Sequence, residues 1–148
     1  MRPLIIFDLD GTLADASHRR HLVEGDKRYF DKFYDACYGD SPMAATITVA
    51  RALWSAHDLW MFSGRTERVA VLTETWLVKH DIAHLFVRKR FRPEGDYTPD
   101  DKLKRQWYWE MDEADRARLI LTFDDRDRIV AMWRELGVPC FQVAPGAF

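Results

Sequence analysis

The sequence predicts an α/β domain: a central parallel sheet with helices on both faces and a small helical insertion after the first strand. Three observations carry this. Short, nearly continuous apolar runs alternate with longer amphipathic segments, as strands buried on both faces alternate with crossover helices. Their length suits strands, whereas the stretches between them show helical periodicity. Polar residues with chemical potential follow directly after several of the apolar runs, where open parallel sheets place their functional crevice.

In chain order, strands are expected at Leu4–Leu9, Leu59–Phe62, Leu85–Arg88, Leu119–Phe123 and Cys140–Val143. Helices are expected near 18–36, 43–57, 67–80, 101–117 and 126–136. The last is the plainest: Ile129, Val130, Met132, Trp133 and Leu136 fall on one helical face, and Gly137 stands where a C-terminal cap belongs. The segment 14–42 is polar, aromatic and longer than a crossover requires, so it reads as a helical insertion that partly covers the end of the first strand. The 148 residues read as one domain, 1–148, with no internal repeat, low-complexity tract or linker.

Composition narrows the function classes. A net charge of −2 gives no global polycation, so nucleic-acid binding would need a local basic patch. The two cysteines, Cys37 and Cys140, have neither metal spacing nor a disulfide framework, and read as reduced buried thiols. No apolar stretch approaches the roughly 20 residues that cross a bilayer, so no membrane contact is expected. The first strand begins at Pro3 or Leu4, which leaves no room for a signal peptide. The expected location is the cytoplasm.

The stretch "FDLDGTLAD" ends a buried strand with Asp8 and Asp10, followed by Gly11 and Thr12. Strand side chains repeat every two residues, so the two carboxylates begin on one side, and like charges that close call for a cation. Mg²⁺ suits a few carboxylates plus phosphate oxygens. Asp124 or Asp125, after the fourth strand, could complete such a site. Asp8 could then attack phosphorus, while Asp10, protonated part of the time, handles the protons. Ser63, Gly64 and Arg65 follow the second strand: a hydroxyl, a glycine that lets backbone N–H groups approach an anion at a helix N-terminus, and a planar fork for phosphate oxygens. Lys102 or Lys104 would offset the gathered negative charge.

With these residues in place, the sequence resembles the haloacid dehalogenase (HAD) superfamily of phosphotransferases. The Asp-x-Asp-Gly-Thr motif matches 8–12, the hydroxyl residue Ser63, the lysine Lys102 or Lys104, and the acidic pair Asp124 and Asp125. The resemblance implies a Rossmann-like fold with a minimal cap, Asp8 as nucleophile and Asp10 as general acid and base. It also implies Mg²⁺ held by Asp8, the Asp10 carbonyl and one of the acidic pair. The sequence is more similar still to the 3′-phosphatase domains of the phage polynucleotide kinase/phosphatase family, from "FDLDGTLAD" through "SGR" and "PDDKLKRQWYW" to "FDDRDRIVAMWRELGVPCFQVAPGAF". That similarity favours Lys104 as the catalytic lysine. It implies phosphate contacts from Arg65 and from Arg19 or Arg20, with Arg92 and Thr12 as further candidates. The substrate it implies is a 3′-phosphate on a nucleic acid end or a nucleotide, with a separate kinase or ligase as partner, in the host cytoplasm if phage-encoded. The family's kinase loop, Gly-x-x-x-x-Gly-Lys-Ser/Thr, occurs nowhere in these residues, so kinase chemistry is not expected from them.

Other features are more ambiguous. "VRKRFRPEGD" reads either as a positive wall on the same rim or as an exposed charged loop. Helical spacing predicts that Tyr29, Phe30, Phe33 and Tyr34 pack as core, with base stacking as the alternative. His18 and His21 lie near the site but are not needed by the carboxylate chemistry. Trp107 and Trp109 read as core and surface aromatics of the helix that carries Lys104. The competing functions are a 5′-nucleotidase, a general small-molecule monophosphatase, and a non-catalytic binding protein on the same fold.

Overall fold

A computed structural model describes all 148 residues. Five parallel strands form the sheet: β1 (Leu4–Phe7), β4 (Asp58–Thr66), β5 (Phe86–Arg92), β6 (Leu119–Asp124) and β7 (Cys140–Gln142), in the order β5-β4-β1-β6-β7. All four residues of β1 are buried, because the strand has neighbours on both edges and helices on both faces. The period of two sorts the core. Ile5, Phe7, Leu59 and Met61 face α2 (Ala44–Trp54) and α3 (Ala70–Lys79), where Ile47, Ala50, Trp76 and Leu77 meet them. Leu4, Ile6, Trp60 and Phe62 face α4 (Asp100–Glu110) and α6 (Asp127–Glu135), packing on Leu103, Trp107, Val130 and Trp133. The chain leaves β1 toward β4 and leaves β6 toward β7, so the crevice opens where β1 and β6 lie side by side.

The insertion is closed at its base by a two-stranded antiparallel ladder, β2 (Ala14–Asp15) with β3 (Ser41–Pro42). The single helix expected over 18–36 is not formed. A 3₁₀ turn covers Ser17–Leu22, Gly25 stands at φ +61°, and helix resumes only as the short α1 (Phe30–Asp35), followed by a second 3₁₀ turn at Ala36–Gly39. The expected helix 101–117 is also divided. Met111 and Asp112 are extended, Met111 is buried in the core, and the chain re-enters helix as α5 (Glu113–Arg118). Arg116 donates to the carbonyls of Trp109 and Met111, satisfying backbone groups freed at the break.

Two strands run further than their apolar content indicates. β4 continues through Ser63, Gly64 and Arg65, so these residues are not a turn at a helix N-terminus: a 3₁₀ turn, Glu67–Val69, and then α3 begin only afterwards. β5 carries "FVRKRFR" as an edge strand, which corrects the reading of a loop on the rim. Arg88 lies over Trp60 at 4.6 Å and Arg90 over Trp107 at 5.0 Å, covering one face with their stems and guanidinium planes. Lys89, on the other face, pairs with Glu74. Only Arg92 reaches the rim. No helix is long and apolar enough to cross a membrane, and both cysteines are free and buried.

Candidate active site

β1 delivers Asp8 at its C-terminal end, where the Asp8 N–H donates to Phe123 O at 3.0 Å. The chain then folds tightly: the N–H groups of Thr12, Leu13 and Ala14 all donate to Leu9 O, and Gly11 takes φ +81°. A Cβ on Gly11 would overlap the Asp125 carboxylate, so the glycine is needed both for its conformation and for the close approach of β6's exit loop.

Three carboxylates converge. Oxygens of Asp8, Asp124 and Asp125 lie within 4.8 Å of one another, and all three residues are buried. Lys104 is buried among them, donating to Asp8 Oδ1 at 2.7 Å and Asp124 Oδ2 at 2.8 Å. Of the two candidate lysines the fold brings only Lys104 to the carboxylates, because Lys102 on the same helix is exposed to solvent. Asp124 Oδ1 accepts from the N–H groups of Asp125 and Arg126. Thr12 is fully buried and donates to Asp8 Oδ2 at 3.2 Å, so it orients the carboxylate instead of facing the cavity as a phosphate ligand. Ser63 is likewise buried, its Oγ accepting from Arg65 N.

The charge balance of this cluster is incomplete. Three carboxylates against one lysine leave two formal negative charges uncompensated. Burial, then Asp124, pushes the Asp8 carboxyl well above the usual carboxylate range, and the same two causes push Asp125 up to about 6. Asp125 Oδ1 is buried with no hydrogen-bond partner. An all-oxygen set with an orphaned carboxylate oxygen and two charges in excess fits Mg²⁺.

A prediction follows for the metal-free protein. A carboxyl whose folded pKa lies above its unfolded value of about 4 favours the folded state when protonated, and that stability is lost as pH rises through the folded pKa. Removing Asp125's charge (Asp125→Asn) in chelator is expected to add about 3 kcal/mol relative to wild type near pH 8, about half of that near pH 5, and little below pH 4. Saturating Mg²⁺ should close the gap near pH 8. Thermal unfolding of both proteins with and without Mg²⁺ measures this.

Beside the carboxylates lies a second, neutral network. Asp10 accepts from Arg65 Nη2 at 2.7 Å and Arg19 Nη2 at 2.7 Å, and both guanidiniums also hold Asp40 Oδ2 at 2.8 Å. Arg19, Arg65 and Asp40 have no side-chain exposure. Burial would raise the Asp10 pKa, but Arg65 and Arg19 outweigh it and hold the carboxyl below its ordinary value. In the free chain Asp10 is therefore ionised, contrary to the expectation of partial protonation. Arg19 and Arg65, expected on phosphate, are committed here to aspartates. Arg20, the alternative to Arg19, borders the open cavity with its guanidinium 4.5 Å from the Phe148 ring.

Arg92 departs furthest from its expected role. It donates to the carbonyls of Gly64, Asp96 and Thr98 and pairs with Asp100, tying the 93–100 loop to the end of β4. It is a latch with its donors engaged. Asp100 also receives Arg126 at 2.7 Å, and a Cβ on Gly64 would come within 2.7 Å of its carboxylate.

A cavity of about 900 Å³ opens over these residues. Asp8, Asp10, Gly11 and Arg65 line it from the strand ends, Phe30, Phe33 and Tyr34 from the insertion, and Phe148 from the C-terminal segment. The insertion's aromatics are thus not core. Tyr29 and Phe30 are exposed, Phe33 and Tyr34 are half-buried, and Phe33 sits 4.2 Å beneath the Arg19 guanidinium. Trp107 is buried and Trp109 exposed, as their positions predicted. His18 pairs with Asp40 at 2.7 Å, while His21 is exposed. Sequence reasoning missed Asp40 and Asp100. Asp40 stands in an undistinguished polar tract, and Asp100 is indistinguishable in sequence from an ordinary first-turn acid.

Comparison with known proteins finds relatives of both sequence and fold. A chain in the structure of the Pnkp1/Rnl/Hen1 RNA repair complex superposes with a TM-score of 0.81 at 29% identity, over 99% of this chain and 44% of that one. A protein of Autographa californica nuclear polyhedrosis virus, described as a bifunctional polynucleotide kinase/RNA ligase, is 29% identical over 140 residues, 91% of this chain. This chain spans 18% of that viral protein's length. A haloacid dehalogenase-like hydrolase of Streptococcus pneumoniae shares the fold, with a TM-score of 0.66 at 14% identity over 95% of this chain and 84% of that one. A family model described as the polynucleotide kinase PNKP phosphatase domain matches residues 2–148. The match takes in the Asp8 loop, Lys104 and the acidic pair together, and the chain therefore belongs to the PNKP phosphatase-domain family of HAD-type phosphatases.

Proposed function

We propose that this phosphatase removes 3′-phosphates from nucleic acid ends or nucleotides, in a Mg²⁺-dependent reaction that passes through a phosphorylated Asp8. The observation that carries the reading is the Asp8–Lys104–Asp124 cluster, with the unpartnered Asp125 oxygen beside it, which meets an open cavity of about 900 Å³ through Asp8. Thr12 and Lys104 fix the Asp8 carboxylate from two sides. An Asp8 oxygen bonds to phosphorus as the ester P–O bond breaks, and Asp10 delivers a proton to the departing oxygen. Asp10 is ionised in the free chain, but an incoming phosphate dianion beside it raises its proton affinity and competes for Arg65 and Arg19. Asp10 then takes a proton from water as the water oxygen attacks phosphorus, and phosphate leaves with Asp8 regenerated. A divalent cation held by Asp8, the Asp10 carbonyl and Asp124 or Asp125 would screen nucleophile from phosphate.

The polynucleotide substrate rests on family membership together with the width of the cavity. About 900 Å³ is far more than a phosphate fills, and exposed aromatics border it. The relatives' names place them with kinase, ligase and RNA repair activities, so a kinase or ligase working alongside this chain is part of the proposal. A substrate panel in Mg²⁺ and in EDTA tests it. 3′-Phosphorylated oligonucleotides should be hydrolysed faster than 5′-phosphorylated oligonucleotides, nucleoside 5′-monophosphates or sugar phosphates, and EDTA should stop the reaction. A preference for a sugar phosphate or a 5′-monophosphate would overturn the 3′-end reading in favour of a general monophosphatase or a nucleotidase.

A further inference from the structure

We propose that Asp40 is a positioning residue for Asp10, acting across the insertion through Arg19 and Arg65. Each of the two Nη2 atoms bridges the same pair of oxygens, Asp10 Oδ1 at 2.7 Å and Asp40 Oδ2 at 2.8 Å, so four side chains close a ring. Two guanidiniums meet two carboxylates and the ring is formally neutral. Arg19, Arg65 and Asp40 are completely buried, whereas the Asp10 side chain is 28% exposed and lines the cavity. The inner corners are therefore fixed, and the outer corner is the carboxylate that must reach substrate.

The ring is anchored through Asp40. Its carbonyl accepts from Trp76 Nε1 at 2.8 Å, its N–H donates to Cys37 O, and its Oδ1 takes Arg19 Nε and His18 Nε2. Remaining arginine donors go to Thr73 Oγ1 and Phe33 O. A satisfied buried network of this kind holds one arrangement, and removing one charge from it leaves another unpaired in a dry interior. Arg65 also reaches both Asp10 oxygens through Nε, but without Asp40 two buried cations face a single carboxylate, and the guanidiniums that orient Asp10 lose the carboxylate that fixes them from behind. Asp40 lies beside β3, so the base of the insertion and the placement of the proton donor are one structural unit.

The inference rests on the reading of Asp10 as proton donor, and the test separates the two. Leaving-group release is followed in a single turnover with p-nitrophenyl phosphate, whose leaving group departs without a proton, and with a nucleoside 3′-monophosphate, whose hydroxyl needs one. Asp10→Asn should lose on the order of 10²–10⁴-fold on the nucleotide and much less on the aryl phosphate. Asp40→Asn should show the same split at roughly tenfold or more, because a misplaced acid spoils only the proton-dependent step. A role confined to stability would lower both substrates alike. If Asp40→Asn does not fold, His18→Ala, which removes one partner of Asp40 from its exposed side, should show a smaller split in the same direction. A split in Asp10→Asn but in neither other variant overturns the positioning role. No split in Asp10→Asn overturns the donor assignment, and the Asp40 inference falls with it.

Discussion

Asp8→Asn is expected to lose phosphatase activity by about 10⁴-fold or more while remaining folded, since deleting a covalent nucleophile removes the reaction path and not merely a contact. The stability half of this prediction separates chemistry from collapse. Ionised Asp8 is buried beside Asp124 and Asp125, and its carboxyl is pushed well above the usual range by burial and by Asp124. A neutral isostere relieves that repulsion and leaves Lys104 paired with Asp124. In chelator at neutral pH the variant should therefore unfold at a temperature no lower than wild type. Calorimetry and a Mg²⁺-supplemented assay on the same preparation check both halves. An inactive variant that also unfolds early would mean that Asp8 is a structural residue.

Lys104→Met is expected to have the largest effect on stability. The lysine is the one ammonium bridging Asp8 and Asp124 at 2.7 and 2.8 Å, and both neighbours hold its pKa well above the ordinary lysine value. Breaking a buried pair by removing one member costs about 3–5 kcal/mol, a large share of the roughly 5–15 kcal/mol that holds a domain together. Three buried carboxylates without a cation should leave the chelated variant barely folded at 25 °C. Mg²⁺ should then stabilise the variant more than it stabilises wild type, because the cation meets a larger uncompensated charge. Activity in saturating Mg²⁺ should still fall by about 10²–10³-fold, the usual loss when a preorganised electrostatic group is removed. Equal Mg²⁺-induced shifts in the two proteins would contradict the charge balance drawn here.

The sheet and the gathering of Asp8, Asp124 and Asp125 could be read from the chain because local rules determine them, whereas the choice of Lys104 over Lys102 came from the family resemblance. β1 is apolar at every position since both its faces and both its edges are covered, and the residues ending β1 and β6 are brought together by strand order alone. Features that depend on what a charged side chain meets across the fold were not readable. Arg88 and Arg90 look like a solvated basic loop until Trp60 and Trp107 are placed beneath them. Arg19, Arg65 and Arg92 look like free phosphate ligands until Asp10, Asp40 and Asp100 take up their donors. Asp40 carries no local signal because its role is set by residues up to 36 positions away, Arg19, Arg65 and Trp76. The divided helices of 18–36 and 101–117 failed for a nearer reason: Gly25 interrupts one, and burial of Met111 turns the other.

The most direct measurement is rapid-quench trapping of the phosphorylated enzyme. The Asp10→Asn variant, impaired in the water step, is mixed with p-nitrophenyl phosphate, whose leaving group departs without a proton, and Mg²⁺, then quenched in acid and mapped by mass spectrometry. A hydroxylamine-sensitive phosphoryl group on Asp8 is the predicted result. p-Nitrophenolate released in that single turnover with no phosphoryl group on Asp8, or with one on a hydroxyl side chain such as Ser63, would contradict the account.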